Sequence, residues 1–131
     1  MAIDLGMQNP PKISVPVANN RILEIYSGRL NAPNGAPLLK GTGPNWHYED
    51  FNFWVPTWLS QIEQITTSAQ LATIYNQETA VNAGWSVEVV RFNTDLVRSN
   101  RLIFIQPRLG VRDIDGFIYA IDYQIHVVGL A

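Results

Sequence analysis

The chain contains no cysteine, which excludes a disulfide framework, a thiolate nucleophile and a Cys-ligated zinc site, so stability has to come from packing or from partners. Histidine occurs only twice, as His47 and His126. Lysine is absent after Lys40, and the formal charge of −2 supplies no field able to gather phosphates at long range. The five arginines of the C-terminal third, Arg91, Arg98, Arg101, Arg108 and Arg112, are balanced by Glu88, Asp95, Asp113, Asp115 and Asp122. Nucleic acid is therefore not an expected partner. No apolar run approaches the roughly 18 residues that span a bilayer, and Met1–Leu5 lacks the basic and apolar segments of a signal peptide. A membrane is not expected either, and the chain reads as made and used in the cytosol or released by lysis.

What remains is enough for one folded core. The 131 residues are the size of a single domain, and a hydrophobic share of 47% with 11% aromatics argues against wholesale disorder. Residues 1–20 carry Pro10, Pro11 and Pro16 among several asparagines, which forbids a helix and disfavours a central strand. They read as an extended arm in which Ile13, Val15 and Val17 alternate as in a short edge strand. Arg21 to Leu30 is rich in β formers, and Gly28 inside it suggests a bulge. From 31 to 45 the chain places three prolines and three glycines, which predicts a long loop of the functional or irregular kind.

Trp46 to Trp58 is the densest aromatic segment. After it, Pro56 and Thr57 suit a helix start, and Leu59, Ile62, Ile65, Ala69 and Ala72 recur at three- and four-residue spacing. The spacing predicts a helix from about 57 to 66, with Ser68 able to cap a second one towards Tyr75. Asn82-Ala83-Gly84 is a break, and Trp85 to Phe92 reads as a strand buried in part on both faces. Thr94 to Asn100 reads as a polar connection.

Phe117, Tyr119, Ile121, Tyr123, Ile125 and Val127 fall at every second position, as a half-buried strand requires. Asp115-Gly116, between that run and Arg101–Arg112, is a hairpin signal. Matching the apolar faces of the two strands calls for a one-residue bulge near Pro107 or Gly110, which sets Ile105 beside Ile125 and Ile103 beside Val127. The expected fold is mainly β, of the α+β kind: an antiparallel sheet or sandwich with one central helix, the arm at 1–20, and a C-terminal hairpin. Residues 21–131 form its single domain.

Candidate chemistry is sparse. His47-Tyr48-Glu49-Asp50 sets an imidazole beside two carboxylates, the makings of a metal or acid–base site, but the plainer reading is polar residues flanking aromatics. Asp113-Ile114-Asp115-Gly116 has the opening of a calcium loop without its later ligands and reads as a turn. Gly41-Thr42-Gly43-Pro44 lacks the Lys-Ser/Thr pair of a phosphate loop. No Gly-x-Ser-x-Gly elbow occurs. No catalytic residue, metal or cofactor is expected.

An arm of that composition cannot order itself, and it is expected to lie against a neighbouring polypeptide. In overall style, with an extended Pro-rich arm, a Gly/Pro loop, an aromatic segment, a central helix and a terminal β-hairpin, and without cysteine or a catalytic motif, the chain resembles small structural proteins of bacteriophage particles, such as capsid cement or decoration subunits and tail or neck components. The resemblance implies a non-enzymatic virion subunit, made in the host cytoplasm, whose partners are copies of itself and other structural subunits. The contact residues implied are Ile3, Leu5, Met7, Pro10, Pro11, Ile13 and Val15 of the arm, Leu38 and Leu39 of the loop, and Trp46 and Trp54. The alternative is a carbohydrate-binding module, with Trp46, Tyr48 and Trp54 as a platform for a glycan.

Overall fold

The computed structural model describes residues 2–76, 83–95 and 101–131. Among these residues nine strands follow one another: β1 (Ile3–Met7), β2 (Lys12–Val17), β3 (Arg21–Asn31), β4 (Leu39–Lys40), β5 (Trp46–Pro56), β6 (Gln61–Asn76), β7 (Gly84–Asp95), β8 (Leu102–Arg112) and β9 (Gly116–Leu130). They make two sheets packed face to face. Sheet A runs β1-β5-β8-β7, and sheet B runs β2-β3-β9, with β4 and β6 also paired to β9. The only described helical segment is a 3-10 turn at Pro33–Gly35.

The core is the space between the sheets. From sheet A it receives Phe51, Phe53, Val55, Ile103, Ile105, Leu109 and Val111, and from sheet B Leu30, Ile118, Ile121, Tyr123, Ile125 and Val127. Phe53 and Tyr123 meet at the centre, with ring centroids 4.6 Å apart and planes tilted by 47°. Burying such side chains removes about 1.5–3 kcal/mol of unfavourable hydration each, before chain entropy is set against it.

The expected helix at 57–66 and its continuation to Tyr75 are absent. Residues 61–76 are strand β6, bonded along its length to β9. The spacing of Ile62, Ile65, Ala69 and Ala72 imitated a helix, but Ile65, Thr67, Ala69 and Leu71 also alternate with Thr66, Ser68 and Gln70, and it is the first set that turns inward. Three β-branched threonines and a long unpaired flank on β9 favour the strand. Within 31–45 the loop also yields a short strand, β4, against Phe117 and Ile118.

The C-terminal hairpin is likewise corrected. β8 pairs with β5 and β7, β9 pairs with β3, β4 and β6, and the two lie in opposite sheets. Asp113–Asp115 therefore carries the chain across the sandwich. Asp113 takes a positive φ of 99°, its carbonyl accepts from Gly116 N–H at 3.1 Å, and its carboxylate accepts from Asp115 N–H at 3.1 Å. The apolar faces of β8 and β9 are joined by stacking across the core, which needs no shared register. The bulge expected near Pro107 lies instead in β7, where the register shifts between Val89 and Arg91 opposite Pro107 and Gln106. Proline offers no N–H to the ladder, so the neighbouring strand loops past it.

Two other expectations change. β3 pairs with β9 without interruption from Ile22 to Asn31, so Gly28 marks no bulge. A Cβ there would stand 2.5 Å from the Tyr123 hydroxyl, and the glycine makes room for that ring. On β7, Val87 and Val89 pack against the core, Val90 at the register shift is exposed, and Phe92, carried by the shift to the inner side opposite Ile105, is exposed as well, so Val90 and Phe92 do not form a second buried face. The polar connection at 94–100 falls partly in β7 and otherwise outside the described residues, as does Asn82 of the predicted break.

β9 also switches face. Ile121, Tyr123, Ile125 and Val127 point inward, but nearer the turn it is Ile118 and Ala120 that are buried. The change coincides with register shifts against Leu71, Thr73 and Ile74 of β6. It places Phe117 and Tyr119 on the other side, in ring contact with each other, and Phe117 also meets Tyr75.

Candidate functional site

The arm is built into the sandwich at both ends. β1 pairs in parallel with β5, and Gly6, at φ 76°, lets it bulge between Asp4 and Met7 while the Asp4 carboxylate accepts from Gly6 N–H at 2.7 Å. β2 pairs antiparallel with β3. Residues 1–20 thus supply an edge strand to each sheet, so the arm, expected to be unable to order itself, is ordered against its own chain.

What fixes β2 is a buried carboxylate. Glu24 of β3 is only 3% exposed. Its Oε2 lies 2.9 Å from Lys12 Nζ and accepts from Ser14 Oγ at 3.2 Å, both on β2. Its Oε1 accepts from Tyr26 OH at 2.9 Å and from Thr57 Oγ1 at 3.1 Å. Burial alone would raise this carboxyl. The hydrogen bonds from Lys12 and Tyr26, the Lys12 charge and the Thr57 hydroxyl together outweigh it and hold the group below its ordinary value. Burial and the adjacent carboxylate push the Tyr26 phenol far up. The set is closed on itself and welds β2, β3 and the 57–59 segment together.

Alternation on β2 then sends Lys12 and Ser14 toward Glu24 and Ile13, Val15 and Val17 to the opposite, outer side of sheet B. Ile13 is 62% exposed, and Val15 and Val17 are also exposed. Their cross-strand partners include Ile25 and Leu23, which are half-buried, and Val128 lies beyond Leu23. The result is a contiguous aliphatic strip on an edge of the molecule.

The outer side of sheet A differs in character. Trp46, Tyr48, Asp50, Asn52 and Trp54 alternate outward along β5, against Arg112, Gly110, Arg108 and Phe104 of β8. Trp46 and Tyr48 are near-parallel, 13° apart with centroids separated by 5.7 Å, and the Arg112 guanidinium sits 5.1 Å from the Trp46 centroid. Tyr48 fills the space a Cβ on Gly110 would need, and Trp46 does the same at Gly84. Next along the face, Asp50 accepts from Arg108 Nε at 2.7 Å and Nη2 at 3.2 Å, and from Gln106 at 3.1 Å. The Arg108 hydrogen bonds, opposed by partial burial, hold the Asp50 carboxyl below its usual range. An open depression of about 410 Å³ is lined by Tyr48, Glu49, Asp50, Glu88 and Arg108. A second, of about 210 Å³, lies at Trp54, Arg91 and Phe104 on the same face.

The expected contact residues are distributed unevenly. Ile3, Met7, Ile13 and Val15 are exposed, Leu5 and Pro10 are half-buried, and Pro11 is exposed. Leu38 and Leu39 are corrections: both are buried in the core of this chain, because β4 continues the edge of sheet B and Leu38 N–H donates to Ile118 O at 2.8 Å. Trp46 and Trp54 lie on the outer face of sheet A, apart from the arm's aliphatic strip. His47, Glu49 and Asp50 do not converge, since His47 meets Glu49 at 3.5 Å while Asp50 is held by Arg108. Among the described residues no three His, Asp or Glu side chains gather at one point. The sequence reading missed Glu24, whose buried role left a signal only in its position among apolar β formers, and it missed Arg108 and Gln106, which reach Asp50 only through sheet pairing, and Glu88, which sheet pairing sets opposite Arg108.

Comparison with family models, with curated proteins and with solved structures gives no match.

Proposed function

We propose that this β-sandwich is a non-enzymatic structural subunit that packs against neighbouring copies and other subunits of a large assembly, with a bacteriophage particle as its setting. The observation that carries the reading is the aliphatic strip Ile13, Val15, Val17, Leu23 and Ile25 on the outer side of sheet B. Edge strands of soluble monomers are commonly blunted with charges. Here the three outer positions of the edge strand are aliphatic and exposed, and the ammonium of the one Lys of β2, itself still partly exposed, is engaged by Glu24 on the other side. A patch of this kind, held rigid by a buried carboxylate, suits a docking face, because little side-chain or backbone freedom is lost on contact. The virion setting rests on overall style alone.

The test is the mass of the protein in solution across the micromolar range, by light scattering. The intact chain should self-associate. An Ile13→Asp/Val15→Asp variant should run as a monomer with an unchanged circular dichroism spectrum. An intact chain that stays monomeric at the highest soluble concentration, and that leaves the strip accessible in its purified native particle, would remove the proposal.

A further inference from the structure

We propose that the outer face of sheet A is a binding groove for an extended, uncharged oligosaccharide. It lies on the opposite sheet from the aliphatic strip and stands independently of the assembly reading. Three features of the face, in sequence along β5, point to this ligand.

At one end the Tyr48 ring, 51% exposed, lies near-parallel to Trp46 over the glycines of β8 and β7. At the other end Trp54 and Phe104 meet with centroids 5.4 Å apart, and Arg91 stands 5.5 Å from the Phe104 centroid. Aromatic faces take the C–H side of a pyranose ring, which is apolar, while leaving its hydroxyls at the rim. Between the two ends the floor is polar. Asp50 is locked by Arg108 and Gln106, and Glu88 stands opposite Arg108 in the strand register. Carboxylate, guanidinium and amide groups fixed in advance are the donors and acceptors that sugar hydroxyls need, and their mutual bonds limit the entropy lost on binding.

The dimensions agree with a chain of sugars. From Trp46 to Trp54 is eight residues of strand, roughly 26 Å at the usual rise. The two depressions, about 410 and 210 Å³, sit at the polar centre and at the Trp54 end of that line. The charge of the central depression selects among glycans. Asp50 and Glu88 stand on its side of the sheet with Arg108 as the one cation among its described lining residues, an acidic balance that disfavours uronic, sulfated or sialylated chains and, for the same reason, nucleic acid. An apolar peptide is disfavoured by the desolvation of that same ion pair.

The experiment is isothermal titration of the full chain with cellohexaose, xylohexaose and N-acetylchitohexaose, each beside its disaccharide, and with hexagalacturonate as the acidic control. At least one neutral hexasaccharide should bind at least tenfold more tightly than its disaccharide and than the acidic chain. Tyr48→Ala and Trp54→Ala should each weaken it tenfold or more, and Tyr48→Trp should restore binding at that end. Amide chemical-shift changes in the unmodified protein, which need no variant to fold, should fall on β5, β7 and β8. Failure of all three neutral hexasaccharides to bind, preference for the acidic chain, or shifts centred on β2 and β3 would each overturn the proposal.

Discussion

Lys12 Nζ stands 2.9 Å from Glu24 Oε2, and through that contact a strand of the N-terminal arm is held by a carboxylate with almost no access to water. The carboxyl is held below its ordinary value in the folded protein. A depressed pKa means that the folded state binds the proton less readily than the unfolded one. The stabilisation is therefore complete above the ordinary value of 4.5 and is lost as the pH falls below it through the folded value. Thermal midpoints measured from pH 7 down to pH 3 should fall over this acid range. Glu24→Gln should cost about 2 kcal/mol at neutral pH and flatten the acid slope. An unchanged slope in the variant would show that other carboxylates set the acid limit.

Phe53 is fully buried and packs on Tyr123. Phe53→Ala should destabilise by about 3–5 kcal/mol, read from denaturant midpoints, because a rigid two-sheet core closes poorly over so large a void.

Gly28 has no room for a methyl group beside the Tyr123 ring. Gly28→Ala should cost about 1–3 kcal/mol through overpacking. In a Tyr123→Ala background the same change should cost much less, so a double-mutant cycle should show strong coupling. Equal costs in both backgrounds would mean that the strain lies elsewhere.

Arg21 and Glu63 form a two-pronged ion pair at 2.7 and 2.8 Å, both half in solvent, reaching across β9 near Gly129. Despite that geometry, Glu63→Gln should leave the thermal midpoint within experimental error, since exposed pairs are screened and cost side-chain entropy to hold.

Trp58 is 80% exposed, on the segment that follows β5. Acrylamide should quench a distinct share of the tryptophan emission, and Trp58→Phe should remove most of that share without loss of stability.

How far the sequence was legible depended on the range of the forces involved. The alternation of Ile121, Tyr123, Ile125 and Val127, and the β formers of 21–30, are local signals, and the strands they predict are present. Val15 and its neighbours also read correctly as an edge strand, because proline restricts the choices. Residues 61–76 failed because one set of apolar positions satisfied two periods, and only the unpaired flank of β9 decides between them. Asp115-Gly116 failed because a turn sequence constrains its own torsions but not which sheet the next strand joins. Of the aromatic segment, the sequence showed its density. It did not show that Phe51 and Phe53 turn inward while Trp46, Tyr48 and Trp54 turn outward, nor that Arg108 from some sixty residues away would meet Asp50.

The placement of β9 has a consequence for the order in which the protein can be made. Within the described pairings, β3, β4 and β6 share β9 as their common partner, and β5 and β7 both depend on β8. During vectorial synthesis the first ninety-odd residues therefore emerge with their main hydrogen-bonding partners still unmade. The two central staves arrive last and side by side in the chain, joined by the crossing at Asp113–Asp115. Until then the inward side chains of β3 and β5 and the flank of β6 are exposed to any other nascent copy, so folding should be slow and dependent on concentration. Once residues 116–130 are available, a single strand recruits three others, and closure of both layers becomes one cooperative event.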